Sequence, residues 1–175
     1  MAARSFRKTR RPGIVTRQSY VMMTPQSRKH PPHIPSLDRP AIILLLTTCT
    51  KNRKPILACD EMHRLLRDAW KLHDDYPVGR YVIMPEHIHL FIGENDTSYV
   101  SLPNWVAKWK GYVTRRWHRS SDRPIWQRSF WDRQLLGPAA YESKWIYVRW
   151  NPVRHDLVVH SDDWPFQGEM VSLRW

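Results

Sequence analysis

VGRYVIMPEHIHLFIG, residues 78–93, decides the fold class. Two β-rich runs flank Pro85, which has no N–H to give a ladder. The stretch therefore reads as two antiparallel strands joined by a tight MPEH turn, or as one strand with a bulge. Side chains at i and i+2 of a strand leave the same face. His87 and His89 thus stand side by side, and Ile88 turns to the other face. Neighbouring imidazoles can share one divalent cation, but they can also be two hydrogen-bonded histidines at a surface or in a core. The HxH pattern alone leaves both open.

Outward from this hairpin the pattern is regular. AIILLLTTCT (41–50) is a short apolar, β-branched run closed by the turn-like KNRKP, and it reads as a buried strand. ACDEMHRLLRDAWKLH (58–73) places Met62, Leu65, Leu66, Ala69, Trp70 and His73 at helical spacing, with Asp60 as N-cap and Pro77 punctuating the exit. After the hairpin, SYVSLPNWVAKWKGYVTRRWH is a second helix beginning near Leu102, with Pro103 in its first turn. PIWQRSFWDRQLL (124–136) is aromatic and strand-like. A third helix starts near Pro138 and runs through YESKWIYVRW to Asn151, because a residue before proline is pushed out of the α region. The order β-α-β-β-α-β-α predicts an α+β, ferredoxin-like antiparallel sheet, with helices packed on one face plus a C-terminal helix.

Composition bounds the partners. At 175 residues the chain suits one domain. Its two cysteines, Cys49 and Cys59, are too few for a secreted disulfide framework, so a reducing, cytoplasmic setting is expected. No run of about 18 apolar residues offers a membrane span, and the basic amino terminus lacks the apolar core of a signal peptide. The formal net charge is +12. Residues 1–39 hold nine Lys and Arg against the single acid Asp38, together with five prolines and few apolar residues. This segment reads as a mobile basic arm, and residues 40–175 as the folded domain. Such a charge favours a polyanionic partner, since each neutralised phosphate releases counterions.

A second motif is KWIYVRWNPVR (144–154). On one continuous helix Tyr147 and Asn151 are four apart and share a face, so a phenol and an amide oxygen would project together. Read blandly, Tyr147 edges a core and Asn151 ends a helix before Pro152. Taken together, MPEHIHLFI, IWQRSFWDRQL, YVRWNPVRHDLV and DDWPFQG, in that order over roughly residues 40–168, resemble the REP-associated tyrosine transposases of the HUH single-tyrosine group.

The resemblance implies a metal-dependent enzyme that cuts and rejoins single-stranded DNA at hairpin-forming repeats. By it, His87 and His89 hold Mg²⁺ or Mn²⁺, Asn151 supplies the third ligand, and Tyr147 is the nucleophile that forms a 5′-phosphotyrosine link. Tyr141 competes for that role but lacks an Asn four residues on. Glu86 is expected to be a turn-surface carboxylate, or else a support for the paired imidazoles. The run WVAKWKGYVTRRWHR interleaves aromatic and basic residues, as surfaces that stack bases and follow phosphates do. Trp105, Trp109 and Tyr112 are spaced as a core face, so Lys108, Arg115, Arg116, Arg119, Arg128 and Arg133 are the candidate DNA contacts.

The chain departs from the family pattern after NPVR, where His155-Asp156 replaces a small residue and glycine; Asp tolerates the left-handed conformation a glycine there would serve. The competing readings are a catalytically inactive DNA-binding relative and a metallohydrolase, which would need further His or Asp ligands. The protein is expected to act as a monomer or a homodimer.

Overall fold

The structure is a computed structural model that describes residues 42–94 and 99–174; the basic arm read at 1–39 lies outside the described residues. Five strands form one antiparallel sheet: β1 (Ile43–Thr50), β2 (Val78–Ile83), β3 (His87–Gly93), β4 (Trp126–Leu135) and β5 (Gln167–Glu169), in the spatial order β4-β1-β3-β2-β5. The helices are α1 (Asp60–Leu72), α2 (Leu102–Arg116), α3 (Pro138–Arg149) and the single turn α4 (Asn151–Arg154).

The hairpin forms as the proline indicated. The Met84 N–H donates to the His87 carbonyl at 2.8 Å, and Pro85 sits in the turn, where its missing N–H costs nothing. β3 then separates two cores. Ile88, Leu90 and Ile92 point to one face, where Leu44, Leu46, Tyr81 and Ile83 join them under α1 and α2. Phe91 points to the other face, with Ile43, Val82 and Leu135 under α3. The two-helix face is thus the expected one, and α3 covers the reverse of the sheet.

Each helix follows from its apolar spacing. α1 buries Met62, Leu66, Ala69 and Trp70. Its N-cap is Cys59 rather than Asp60, which instead opens the helix beside Glu61, where both carboxylates face the positive end of the helix dipole. α2 begins at Leu102 after Ser101, with Pro103 in its first turn, and buries Trp105, Trp109 and Val113 one turn apart. Trp109 meets Trp70 and Trp126 edge-on at 6.3 and 5.3 Å, pairs that add about 0.5–1.5 kcal/mol each beyond area burial. α3 places Tyr141 and Trp145 edge-on to Phe91, at 5.0 and 5.9 Å. Tyr141 is therefore a core residue, and burial raises its phenol above the ordinary value.

α2 also buries a charge. Lys110 is 8% exposed, and its Nζ donates to the Gln127 carbonyl at 3.2 Å. Burial pulls its ammonium down to about 8. The unfolded chain keeps that proton up to about pH 10.4, so between the two values the unfolded state binds more protons and stability rises with pH. Relative to Lys110→Met, the wild-type protein should gain stability from about pH 8 to pH 10 in paired denaturant titrations; parallel curves would show that the ammonium is not held out of water.

Candidate active site

The paired imidazoles are fixed from behind. β1 lies against β3 with Thr47 opposite His89 and Cys49 opposite His87, and the two imidazoles share the sheet face of Phe91, which α3 covers. Thr47 Oγ1 lies 2.9 Å from His89 Nδ1, and Glu86 Oε1 lies 2.9 Å from His87 Nδ1. With both Nδ1 atoms engaged, the two Nε2 atoms face each other at 3.2 Å, the rings nearly perpendicular at 85°. A carboxylate only accepts, so His87 donates its Nδ1–H to Glu86 Oε1, and in the neutral imidazole that tautomer leaves Nε2 as the acceptor. Glu86 is held in turn: the hydrogen bond from His87 lowers its carboxyl, and Arg53 Nη1 stands 3.9 Å away. Burial, followed by the charges of His87 and Arg154, lowers His89 to about 3, so that imidazole is neutral at physiological pH.

This donor pair fits a divalent cation. Adjacent ligands of an octahedral ion with bonds of about 2.1 Å stand about 3.0 Å apart, close to the observed 3.2 Å. Among the described residues no three His, Cys, Asp or Glu side chains gather, so an ion here would complete its shell with amide, water or substrate oxygens. The Thr47 hydroxyl suits either state, because it donates to a bare Nδ1 or accepts from a protonated one.

The tyrosine segment differs from the single helix read in the sequence. α3 ends at Arg149 and α4 begins at Asn151, because Pro152 has no N–H to continue the ladder. Trp150, at φ −83° and ψ −2°, carries the chain across with little change of direction. Beyond α4 the Asp156 N–H donates to the Val153 carbonyl and the Leu157 N–H to the Pro152 carbonyl, with Asp156 left-handed at φ 55°. This is the Schellman closure, and Asp156 occupies the left-handed position that glycine most often fills.

Tyr147 is 55% exposed, whereas Asn151 is buried at 6%. They are joined through Arg154, which the sequence reading left without a role. Its guanidinium lies 4.0 Å over the Tyr147 ring, and its Nη2 donates to the Tyr147 carbonyl and, at 2.5 Å, to Asn151 Oδ1. The amide oxygen expected to meet a metal is thus engaged by an arginine. α4 also brings the His155 ring to 6.4 Å from the His87 ring. Neither residue has a pattern of its own in the sequence; only the NPVR turn placed beside the HxH strand reveals them.

The six expected DNA contacts divide between faces. Lys108 pairs with Asp75 at 3.5 Å, Arg116 stacks 3.7 Å over Tyr112, and Arg119 lies 5.0 Å from the Trp117 ring centre. These three and Arg115 belong to α2 or its exit, on the sheet face opposite the imidazoles, where Arg128 also lines a groove. Arg133, opposite Leu45, is on the imidazole face. So is Trp131, 38% exposed and opposite Thr47, which makes Trp131, Thr47 and His89 one row across three strands.

The family profile of the IS200-like transposases matches residues 41–136, which is more than half of the chain. The chain belongs to that family. The REP-associated tyrosine transposase of Escherichia coli (strain K12) is 27% identical over 124 residues, covering 69% of this chain and 72% of the relative. A solved structure of a REP-associated tyrosine transposase bound to a REP hairpin superimposes with a TM-score of 0.59 at 21% identity, covering 79% of this chain and 82% of that one, which establishes the shared fold. These relatives are tyrosine transposases, enzymes that cleave and rejoin DNA. The family match stops at residue 136, before Tyr147, so the role of α3 and α4 rests on their own geometry. No helix among the described residues is long and apolar enough to cross a membrane.

Proposed function

We propose that this transposase cuts and rejoins single-stranded DNA beside a hairpin, with Tyr147 as nucleophile and a Mg²⁺ or Mn²⁺ ion held by His87 and His89, Asn151 adding a third donor. The observation that carries the reading is the pair of convergent Nε2 atoms, 3.2 Å apart and each braced through its Nδ1. Such partners orient imidazole ligands and raise their basicity. When bound, the ion polarises the scissile phosphate and favours departure of the 3′-oxygen.

The remaining roles fall to the chain. Tyr147 presents its phenol from a half-exposed position on a helix anchored by Tyr141, Trp145 and Val148. Its Oη attacks the phosphorus, the P–O3′ bond breaks, and the phenolic proton is lost as the leaving strand becomes a free 3′-OH. The 5′-phosphate stays on Tyr147 until another strand's 3′-OH reverses the step, so bond energy is conserved. Arg154, between the Tyr147 ring and Asn151, is placed to meet the phosphate, and Asn151 Oδ1 would be the donor for the ion if Arg154 released it. Hairpin recognition is carried over from the relative bound to a REP hairpin. The basic arm, residues 1–39, adds phosphate contacts. The engagement of Asn151 Oδ1 by Arg154 favours a second reading, an inactive relative that binds the same DNA without cutting it.

Three measurements test these roles. With a labelled hairpin oligonucleotide and Mn²⁺, the wild type and Tyr141→Phe should form a covalent protein–DNA band and Tyr147→Phe none; a band that persists in Tyr147→Phe removes that residue, and none in the wild type favours the inactive reading. By calorimetry without DNA, Glu86→Gln and Thr47→Val should each weaken Mn²⁺ binding by about 10–100-fold; unchanged affinity places the ion elsewhere. Deleting residues 1–38 should flatten the dependence of log K on log salt, and an unchanged slope rejects a DNA role for the arm.

A further inference from the structure

On the sheet face opposite the imidazoles, α2 and β4 part to leave a groove of about 310 Å³. Its lining includes Lys110, Gly111 and Thr114 from α2 and Trp126, Arg128 and Phe130 from β4. The Lys110 ammonium lies 5.7 Å from the centre of the Trp126 ring, and of its three N–H donors the structure engages one, with the Gln127 carbonyl. No carboxylate of the described residues stands in ion-pair reach of it. A buried cation without an anion is costly unless something outside the fold completes it. Arg128 adds a second cation to the wall. Arg115 is not in the lining but stands beside Gly111, with Nη1 only 3.1 Å from where a Cβ on Gly111 would stand. Gly111 thus leaves room that a side chain would contest.

Two lining cations, Lys110 and Arg128, and two aromatic walls, Trp126 and Phe130, suit one kind of occupant. A phosphate satisfies the ammonium and the guanidinium, and a base attached to it lies against an aromatic ring. Duplex DNA hides its bases in the stack, so the occupant is an unpaired nucleotide. We propose that this groove is a second DNA site, which seats one unpaired nucleotide of the strand flanking the hairpin, its phosphate toward Lys110 and Arg128 and its base against Trp126. The proposal rests on the DNA-cleaving reading for its substrate but not for its chemistry. β4 is the edge strand, so a single strand can pass round it, over Trp131 and Arg133, towards the imidazole face. The groove therefore holds a nucleotide at a distance from the cut, and it selects where the strand lies rather than how it is broken.

The test compares two DNAs in chelator, where no cleavage occurs. Dissociation constants of the full-length protein are measured by fluorescence anisotropy for a hairpin carrying a single-stranded flank and for the same hairpin trimmed flush. The wild type should prefer the flanked form. Lys110→Met should weaken flanked binding by about tenfold, the effect of losing one charge-assisted contact, and leave trimmed binding unchanged; Arg128→Gln should act in the same direction. Lys110→Met removes a buried cation, so its melting temperature should not fall, and Arg128→Gln changes an exposed side chain, which keeps the test sound if the first variant folds poorly. Equal losses on both DNAs, no loss in either variant, or no wild-type preference for the flank would each overturn the proposal. Loss of the Tyr147 adduct would not, because the binding comparison involves no covalent step.

Discussion

The register of β1 against β3 is the constraint on which the site depends. In the observed pairing Thr47 faces His89, Cys49 faces His87, and Leu46 faces Leu90. A slip of one residue would turn the imidazoles into the α1–α2 core and expose Ile88, Leu90 and Ile92. The apolar set of β3 therefore enforces the polar one: burying three aliphatic side chains under α1 and α2 holds two imidazoles on the other face. Glu86 completes the arrangement from the turn, where its backbone carbonyl also accepts from the Thr50 N–H at 2.9 Å and from the Thr50 hydroxyl at 3.1 Å. The turn that ends one strand is thereby tied to the strand bracing the second imidazole.

The elements with a clean period were legible in the sequence. The proline-split hairpin, the Trp105–Trp109–Val113 stripe and the strand at 126–135 depend on alternation or helical spacing that local residues set. What escaped the reading has no period. β5 is Gln-Gly-Glu, three residues without a β-branched or aromatic side chain, and it exists because β2 offers an unpaired edge: Tyr81 pairs with Gly168, where a Cβ would stand 2.9 Å from the Tyr81 hydroxyl. The break between α3 and α4 was half legible. Pro152 announced it, but the near-helical Trp150 kept Tyr147 and Asn151 in one neighbourhood in spite of it. Glu86 was read chiefly as a surface carboxylate because its partner, His87 Nδ1, depends on a ring orientation that spacing does not set. Arg154 had no sequence signal, since a basic residue at a helix end is ordinary dipole complementation.

The sheet separates two kinds of work. The imidazole face carries the convergent nitrogen pair together with Arg154, His155, Trp131 and Arg133, and its aromatic anchors, Tyr141 and Trp145, hold α3 in place. The opposite face carries α2, whose indoles pack inward while its cations look outward or, at Lys110, into the groove. Several of these cations are steadied by aromatic partners rather than carboxylates, as Arg116 over Tyr112 illustrates. A cation on a ring keeps its charge available to a phosphate, whereas one in an ion pair has spent part of it. Lys108, paired with Asp75, is by that argument the weakest of the six expected contacts.

Arg154 shows how a site can be compact before it meets its ligands. Stacked on Tyr147 and bonded to Asn151 Oδ1, it engages both the phenol ring and the amide oxygen with a single side chain. Each interaction is modest on its own, a cation–π contact of about 0.5–1 kcal/mol at an exposed site and a charge-assisted hydrogen bond of about 1.5–3 kcal/mol. In the proposed reaction an incoming phosphate would offer the guanidinium a stronger, bidentate partner, and a cation would offer the amide oxygen a harder one. Both exchanges would run in the same direction, so substrate and ion would each release what the other needs. Coupling of that kind arises from one arginine within reach of two groups, and requires no movement of the sheet that carries the histidines.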